Sequence, residues 1–249
     1  IFCMSILDRF NSRRASPTIK PPDQGLYHFQ WDHGEQKSRL HLRIDPDDSG
    51  LLIVNANRVF HLNPSATQMA YYTLHKVPPE QAAKQLSSRF DVPIQTLQED
   101  YRSYSESLND LLDDRVCPIC DLELETSLPF TSKPSAPYRM DLALTYRCNN
   151  AFAHCYNARA RSFPEVATSD WFEIIDKLWE IRIPHIVFTG GESTLREDLP
   201  ELIRHAEKNG QITGLNTNGR KLADRSFVQQ LLDSGLDHVQ ITLESHLPE

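Results

Sequence analysis

The stretch HIVFTGGES (185–193) joins a short apolar run to a turn with two glycines and an acid. The same layout returns, evenly spaced, as QITGLNTNG (211–219) and HVQITLES (238–245), and an earlier run, MDLALT (140–145), also leads into a polar segment. Amphipathic helical patterns separate these runs, and strands that alternate with helices form parallel sheets. Residues 138–249 are therefore predicted to have an α/β fold.

A polar motif follows each predicted strand. These motifs are Cys148 to Cys155 within TYRCNNAFAHCYN, then Gly190-Gly191-Glu192, then Asn218 in NTNG, and finally Thr242 with Glu244. Because the carboxyl ends of parallel strands meet at one edge of the sheet, functional residues collect there. We expect the four motifs to form one site.

These motifs resemble those of radical S-adenosylmethionine (radical SAM) enzymes. That family carries a Cys, three residues, a Cys, two residues and a Cys in the loop after the first barrel strand. Here Cys148 and Cys155 match the first and third cysteines, and His154 matches the aromatic position before the last. The resemblance implies that residues 138–249 form the N-terminal part of a radical SAM core, a partial parallel (β/α) barrel.

The resemblance also implies two cofactors, a 4Fe–4S cluster and S-adenosylmethionine (SAM), together with an electron donor. Three thiolates would hold three irons, with Cys148 and Cys155 as the matching ligands here. An electron from the cluster splits the sulfonium, and the deoxyadenosyl radical then abstracts a hydrogen from substrate. The residues implied to bind SAM are His154, Gly190, Gly191, Glu192, Asn218, Thr242 and Glu244. In that assignment the glycines let the backbone approach the methionine moiety, and Glu192 accepts hydrogen bonds from its ammonium group.

Phe152 stands where the family has its middle cysteine, and an aromatic ring does not ligate iron. We therefore expect the chain to assemble the cluster poorly or not at all. Three explanations stay open: a single-base change or artefact, a pseudo-enzyme, or another thiol that substitutes.

The first half of the chain has a different composition. Residues 1–24 read as a tail or linker, 25–115 as a small α+β domain, and 116–137 as a proline-bearing linker with a CxxC motif. Strands are predicted at 38–44 and, around an Asn55-Ala56-Asn57 turn, within 51–63.

Three helices are predicted to follow, starting near Pro64, near Pro79 and after Pro93. Two short strands with three helices are typical of a winged-helix-like module. The segments HLNPSATQMAYYTL and VPPEQAAKQLSSRF resemble PqqD-like peptide-recognition domains, which accompany radical SAM peptide maturases. The resemblance implies a leader-peptide partner that adds a strand to the small sheet, received by Leu51 to Val54 or by the preceding strand. The alternative is a winged helix that only packs on the barrel.

Two further groups of residues are candidate metal ligands. Cys117 and Cys120 match half of a zinc knuckle or auxiliary cluster, or else a pair of reduced thiols. Histidines such as His28, His41 and His75 lack ligand spacing and are expected to be solvated or turn residues.

Charge, motifs and the length of apolar runs argue against several classes of protein. The net charge is −8, and residues 25–115 hold more acidic than basic groups, which argues against a winged-helix DNA-binding regulator. No GxGxxG follows the first strand of the barrel region, which disfavours a dinucleotide-binding enzyme. No apolar run is long enough to cross a bilayer and no secretory leader is evident, so a cytoplasmic protein without a membrane partner is expected. The chain starts at Ile1 and stops just past the fourth strand, so we expect a fragment of a longer product.

Two functions therefore compete. The first is a radical SAM enzyme that modifies a peptide bound through its leader. The second is a catalytically impaired peptide-binding pseudo-enzyme, because Phe152 replaces the middle cysteine.

Overall fold

The computed structural model describes residues 20–33, 36–55, 57–112, 134–157 and 164–243. The first sheet has strands β1 (Gly25–His33), β2 (Gln36–Ile44), β3 (Gly50–Val54) and β4 (Arg58–Leu62), and helices α1 (Pro64–Leu74), α2 (Pro79–Leu86) and α3 (Ile94–Leu112) follow it. The second sheet has strands β5 (Arg139–Thr145), β6 (His185–Gly190), β7 (Ile212–Thr217) and β8 (His238–Ile241), with helices α4 (Thr168–Glu180), α5 (Leu199–Asn209) and α6 (Arg225–Asp233) between them. We call residues 25–112 the N-terminal module and residues 134–243 the barrel segment. None of the helices in the described ranges is long and apolar enough to cross a membrane.

The sheet of the N-terminal module is antiparallel, in the order β1-β2-β3-β4. Its β3–β4 turn lies at Asn55, as predicted, where a positive φ of 50° suits a short polar side chain. Strand β1 escaped prediction, although Tyr27, Phe29 and Trp31 alternate along it and pack on the core. Three aromatic residues at every second position are a strand signal that could have been used.

The three helices of the module start where the prolines predicted. Pro64 and Pro79 occupy the first turns of α1 and α2, where their missing N–H groups have no helical partner to lose. The Asn63 side chain caps α1 by accepting a hydrogen bond from the Ala66 N–H at 2.8 Å. Tyr101 and Leu108 of α3 are buried in the core, as their helical spacing predicted.

The barrel segment has the predicted architecture. Its four strands are parallel, in the order β5-β6-β7-β8, and each of the later strands follows a helix, which confirms the α/β class with a partial parallel (β/α) barrel. Buried residues such as Ile186, Phe188 and Leu215 pack against α4 and α5 around one core.

Helix α4 begins without a side-chain cap. Its N-cap residue is Ala167, although Ser169 and Asp170 nearby are of types that often cap helices. The Thr168 hydroxyl instead donates to Asp198 at 2.6 Å. A tertiary hydrogen bond therefore replaces the local cap.

Strand β2 is buried on both faces. Leu40, Leu42 and Ile44 pack on the helices of their own module. The intervening Arg39, His41 and Arg43 face the barrel segment: Arg39 donates to the Gln211 carbonyl oxygen at 3.1 Å and Arg43 to that of Ala136 at 2.7 Å.

His41 was expected to be solvated, and that expectation is wrong. The side chain is 0% exposed, because the barrel segment covers the polar face of an alternating strand. The sequence pattern showed the alternation but contained no sign of this long-range cover.

The expected receiving edge for a peptide also needs correction. Leu51 to Val54 form β3, which pairs with β2 on one side and β4 on the other, and β2 likewise has two neighbours. The strands at the edges of the sheet are β1 and β4. An added strand has free backbone groups only at an edge.

Candidate functional site

The loops after the barrel strands meet at the carboxyl edge of the parallel sheet. Asn218, after β7, donates through Nδ2 to Oδ1 of Asn149, after β5, at 2.7 Å. The Asn157 side chain donates to the Gly190 carbonyl oxygen at 3.3 Å, and the Thr242 N–H, after β8, donates to the Thr217 carbonyl oxygen at 3.0 Å. Four strand ends therefore share one edge, and we call this region the strand-end site.

Glu192 lies at the centre of the strand-end site and is 1% exposed. Its Oε1 accepts hydrogen bonds from the Thr194 N–H at 3.1 Å, the Thr194 hydroxyl at 2.7 Å and the Thr217 hydroxyl at 2.8 Å. Its Oε2 accepts from the Asn218 N–H at 2.8 Å. A buried carboxylate is stable only when donors surround it, and these four donors tie the loop after β6 to the loop after β7.

Gly190 and Gly191 allow two backbones to touch. A side chain at Gly190 would collide with the Thr145 carbonyl oxygen, and one at Gly191 would collide with that of Arg147. The Gly191 N–H donates to Thr145 O at 2.7 Å and the Glu192 N–H to Arg147 O at 2.8 Å. The space freed by both glycines is thus filled by the segment that leads to Cys148.

Arg220 was missed by the sequence reasoning, although it directly follows the NTNG motif. Its Nη1 donates to the Asn149 carbonyl oxygen at 3.1 Å and to Oδ1 of Asn150 at 2.6 Å. Together with the bond from Asn218, it fixes the residues beside Cys148 to the end of β7. A basic residue after one strand-end motif and two amides within another were the available signals.

The cysteine loop presents two free thiols among the described residues. Cys148 is exposed, and its Sγ accepts a hydrogen bond from the Asn150 N–H at 3.4 Å. Cys155 is half-buried, and its N–H donates to the Phe152 carbonyl oxygen at 3.2 Å. The Phe152 ring stacks on His154, with ring centroids 5.6 Å apart and planes 18° from parallel. Phe152 therefore lies between the two thiols in sequence and pairs with an aromatic ring.

These donors do not fit a three-thiolate iron–sulfur cluster. Such a cluster is held by cysteine thiolates, and this loop offers two with a phenyl ring in the middle position. Within the described ranges, no group of three or more His, Cys, Asp or Glu side chains could hold a metal ion.

A second group of charged side chains closes the base of the cysteine loop. Arg196 donates to the carbonyl oxygens of Leu144 at 3.3 Å and Val166 at 3.1 Å, which stand on either side of the loop. Its guanidinium also pairs with Asp198 through two bonds of 2.8 and 2.6 Å and so holds the pKa of that carboxyl below its usual value.

Glu165 extends this group to the first residues of the loop. It accepts hydrogen bonds from the Arg147 guanidinium at 2.8 and 3.2 Å and from the Thr145 hydroxyl, and these donors lower its pKa. One ion-pair network therefore connects the residues just before the cysteine loop with the residues just after it.

The remaining predicted site residues are less informative. Thr242 lies at the end of β8 and is exposed. Glu244, Cys117 and Cys120 lie outside the described residues, so their predicted roles stay predictions.

Comparison with known proteins agrees with this geometry. Residues 142–249 match the Radical SAM superfamily. The chain is 37% identical over 110 residues to the PqqA peptide cyclase of Bradyrhizobium diazoefficiens, which covers 43% of this chain and 29% of the relative. It is 38% identical over 104 residues to the Fe-coproporphyrin III synthase of Methanosarcina barkeri, covering 41% and 26%. The chain thus spans less than a third of the length of either relative.

A solved structure is also similar. Streptococcus suis SuiB bound to S-adenosylmethionine matches with a TM-score of 0.48 and 16% identity, over 77% of this chain and 43% of that one. The sequence match and the parallel sheet together identify a radical SAM domain in the second half of this chain.

Proposed function

We propose that this chain belongs to a radical SAM enzyme that modifies a peptide, with SAM bound in the strand-end site. The observation that carries the proposal is the convergence of the GGE, NTNG and cysteine motifs through direct hydrogen bonds. In such a site the residues of this chain would position SAM, and the family's iron–sulfur cluster would supply the electron for its reductive cleavage.

The residue assignments are those that the resemblance to the family implies. The backbone around Gly190 and Gly191 and the side chain of Asn218 would face the methionine and ribose of SAM, as would His154 and Thr242. Glu192 would act through Oε2, its less occupied oxygen, which among the described residues accepts a hydrogen bond from the Asn218 N–H alone. Glu244 keeps its proposed role as a ligand near the end of β8.

A peptide is the substrate class that the N-terminal module favours. The two relatives named above are, by name, a PqqA peptide cyclase and a Fe-coproporphyrin III synthase, so the radical SAM domain alone does not identify a peptide as the substrate. The four-stranded sheet with helices on one face, which precedes the barrel segment, provides edges at β1 and β4 for a leader peptide. We therefore infer a PqqD-like module and a peptide partner, together with an electron donor.

The position of the N-terminal module fixes how far a bound leader peptide lies from the strand-end site. The contacts of the module involve residues just before the barrel strands, such as Ala136, Arg182 and Gln211, whereas the strand-end site follows these strands. A strand of six residues such as β6 is roughly 20 Å long at about 3.3 Å per residue. A leader on the module would need a spacer of at least about six extended residues to reach the site.

The second candidate is a pseudo-enzyme, and Phe152 favours it for this chain. A protein that keeps the SAM loops and the module but lacks the middle thiolate would bind its ligands without reductive cleavage. The two candidate functions differ in whether the chain can hold a working cluster with Phe152 in place of the middle cysteine. Restoring a cysteine at position 152 therefore separates them.

The test is 5′-deoxyadenosine formation after iron and sulfide reconstitution, with dithionite and SAM. The Phe152→Cys variant should form 5′-deoxyadenosine. The chain with Phe152 should form less of it by a factor of roughly 10–100 or more. Phe152→Ser is the matched control, because it is small and polar without a thiol. If Phe152→Cys assembles a cluster, binds SAM and still forms no product, the enzyme proposal fails.

A further inference from the structure

Four histidines line the contact between the N-terminal module and the barrel segment. His28 and His41 are paired across β1 and β2, and their rings stack with centroids 4.9 Å apart. His41 Nε2 lies 2.7 Å from the carbonyl oxygen of Gly210, at the end of α5. Because a carbonyl oxygen only accepts, that nitrogen must carry the proton and donate.

A second pair continues this contact inside the barrel segment. His185 begins β6 and His238 begins β8, and their Nε2 atoms are 2.9 Å apart. One of these nitrogens donates to the other, so only one of them carries a proton. We call these four histidines the seam.

Two glycines make room for the seam. A Cβ at Gly210 would lie 2.8 Å from Nδ1 of His28, and one at Gly214 would collide with the ring of His238. Gly210 also adopts a positive φ of 88° as the C-cap of α5. The imidazole rings of His28 and His238 therefore pack directly against the backbone at Gly210 and Gly214.

Additional protons would find no acceptor in the seam. His41 Nδ1, His185 Nδ1 and His28 Nε2 are buried and have no hydrogen-bond partner among the described residues. Where the other ring nitrogen already carries a proton, as it does in His41, a proton on one of these atoms would create a buried cation whose new N–H donor is unpaired. Two protons between His185 and His238 would also place two donors face to face.

The surrounding acidic groups offset only part of this cost, because burial is the larger effect on each histidine. The charged groups that face the seam are Arg39 and Glu207 beside His28 and His41, and Arg139, Asp141 and Asp237 beside His185 and His238. Arg39 already pairs with both Glu207 and Asp237. Burial accordingly lowers the pKa of His41 to about 3 and that of His185 to about 4, and it lowers the pKa values of His28 and His238.

We propose that the seam is an acid-sensitive latch, which holds the N-terminal module on the barrel segment only while its histidines are neutral. Above the ordinary histidine pKa of about 6.5 the separated and joined forms are both unprotonated, and the latch is closed. Below that value the separated form binds protons that the joined form excludes, so acid favours separation. Asp237 acts in the opposite direction, since burial raises its pKa, but it is one group opposed by four.

The proposal is tested by small-angle X-ray scattering of the full chain from about pH 7.5 to about pH 4.5, with far-UV circular dichroism on the same samples. Each histidine that binds a proton should raise the ratio of separated to joined molecules about tenfold per pH unit. The radius of gyration should therefore rise below about pH 6 while the secondary structure is kept.

Variants connect the effect to the seam. The double variant His41→Gln/His185→Gln keeps an amide donor and cannot titrate, so its transition should move down by about one pH unit or more. His205→Gln is the matched control, because His205 pairs with Asp176 outside the seam, and its transition should match that of the unsubstituted chain. An unchanged transition in the double variant, a constant radius of gyration, or loss of secondary structure at the same pH as the expansion would each overturn the latch.

Discussion

Individual side chains decide whether the strand ends form a site. Glu192 is the clearest case, because its buried carboxylate has donors from two different loops and so fixes their separation. The sequence alone suggested a ligand contact for this acid. The structure adds a local reason for an acid at this position, since its two oxygens accept from the Thr217 hydroxyl and the Asn218 N–H.

Removing one of these donors should be costly. Thr217→Val deletes the hydroxyl that donates to Glu192 and should lower the free energy of unfolding by roughly 1.5–3 kcal/mol, the range for hydrogen bonds to charged groups. Thr217→Ser keeps the hydroxyl and should lose less than about 1 kcal/mol. Urea denaturation measures both, and equal losses would show that the hydroxyl is not what matters.

The glycine pair gives a second prediction at this scale. Gly191→Ala places a methyl group against the Arg147 carbonyl oxygen and should lower the free energy of unfolding by about 1–3 kcal/mol, as overpacking does. Gly25→Ala is the control, because its nearest neighbour would be 3.9 Å away, and it should change stability by no more than about 0.5 kcal/mol. Similar effects at the two positions would contradict the close approach of the backbones.

At the scale of elements, the cysteine loop is held at its base by Arg196. Nη1 of this side chain bonds to the carbonyl oxygens of Leu144 and Val166, while its Nε and Nη2 pair with the two carboxylate oxygens of Asp198. A lysine side chain has one nitrogen and cannot make both sets of bonds in this geometry. The order of the loop therefore depends on a residue that lies beyond the GGE motif.

We predict that Arg196→Lys loosens this loop without unfolding the sheet. The amides of Gly191 and Glu192, which donate to the segment before Cys148, should exchange with deuterium at least about tenfold faster, the equivalent of about 1.4 kcal/mol. Amides in the centre of β6 should keep their protection. Unchanged exchange at Gly191 and Glu192 would show that the clamp does not position the loop.

Local patterns predicted most of the elements, and tertiary contacts explain the failures. Periodicity and prolines placed the strands of the barrel segment and the starts of α1 and α2, because those signals reside in neighbouring residues. The start of α4 has no local cap, because its N-cap is Ala167 and Thr168 bonds to Asp198, thirty residues away. The GGE and NTNG motifs were found by spacing, whereas Arg220 and Asn149 were not, because their contact exists only once two loops meet.

At the scale of the whole molecule, the N-terminal module covers the end of the barrel segment opposite the strand-end site. The covering face of β2 carries Arg39, His41 and Arg43 at alternate positions, which in sequence is indistinguishable from a solvated face. Long-range cover of this kind leaves no local signature, and for that reason the seam could not be predicted.

The seam makes stability depend on pH in a definite direction. His41 and His185 have lowered pKa values, so the folded chain loses stability as pH falls below about 6.5 and continues to do so toward their folded values of about 3 and 4. At about pH 5 the two together should cost up to about 4 kcal/mol, at about 1.4 kcal/mol per pH unit each. Urea denaturation at about pH 7 and about pH 5 measures the difference, and His41→Gln/His185→Gln should remove most of it. A chain that is equally stable at both values would contradict the burial of neutral histidines.

The most direct test of the radical SAM assignment is the electron paramagnetic resonance spectrum of the reconstituted, reduced Phe152→Cys variant, recorded with and without SAM. If the strand-end loops surround one cofactor, this variant should hold about four irons per chain, and SAM should shift its spectrum because the fourth iron is open to the ligand. The unsubstituted chain should hold fewer irons and show no shift. A full cluster in the unsubstituted chain, or a cluster in the variant that ignores SAM, would contradict the account.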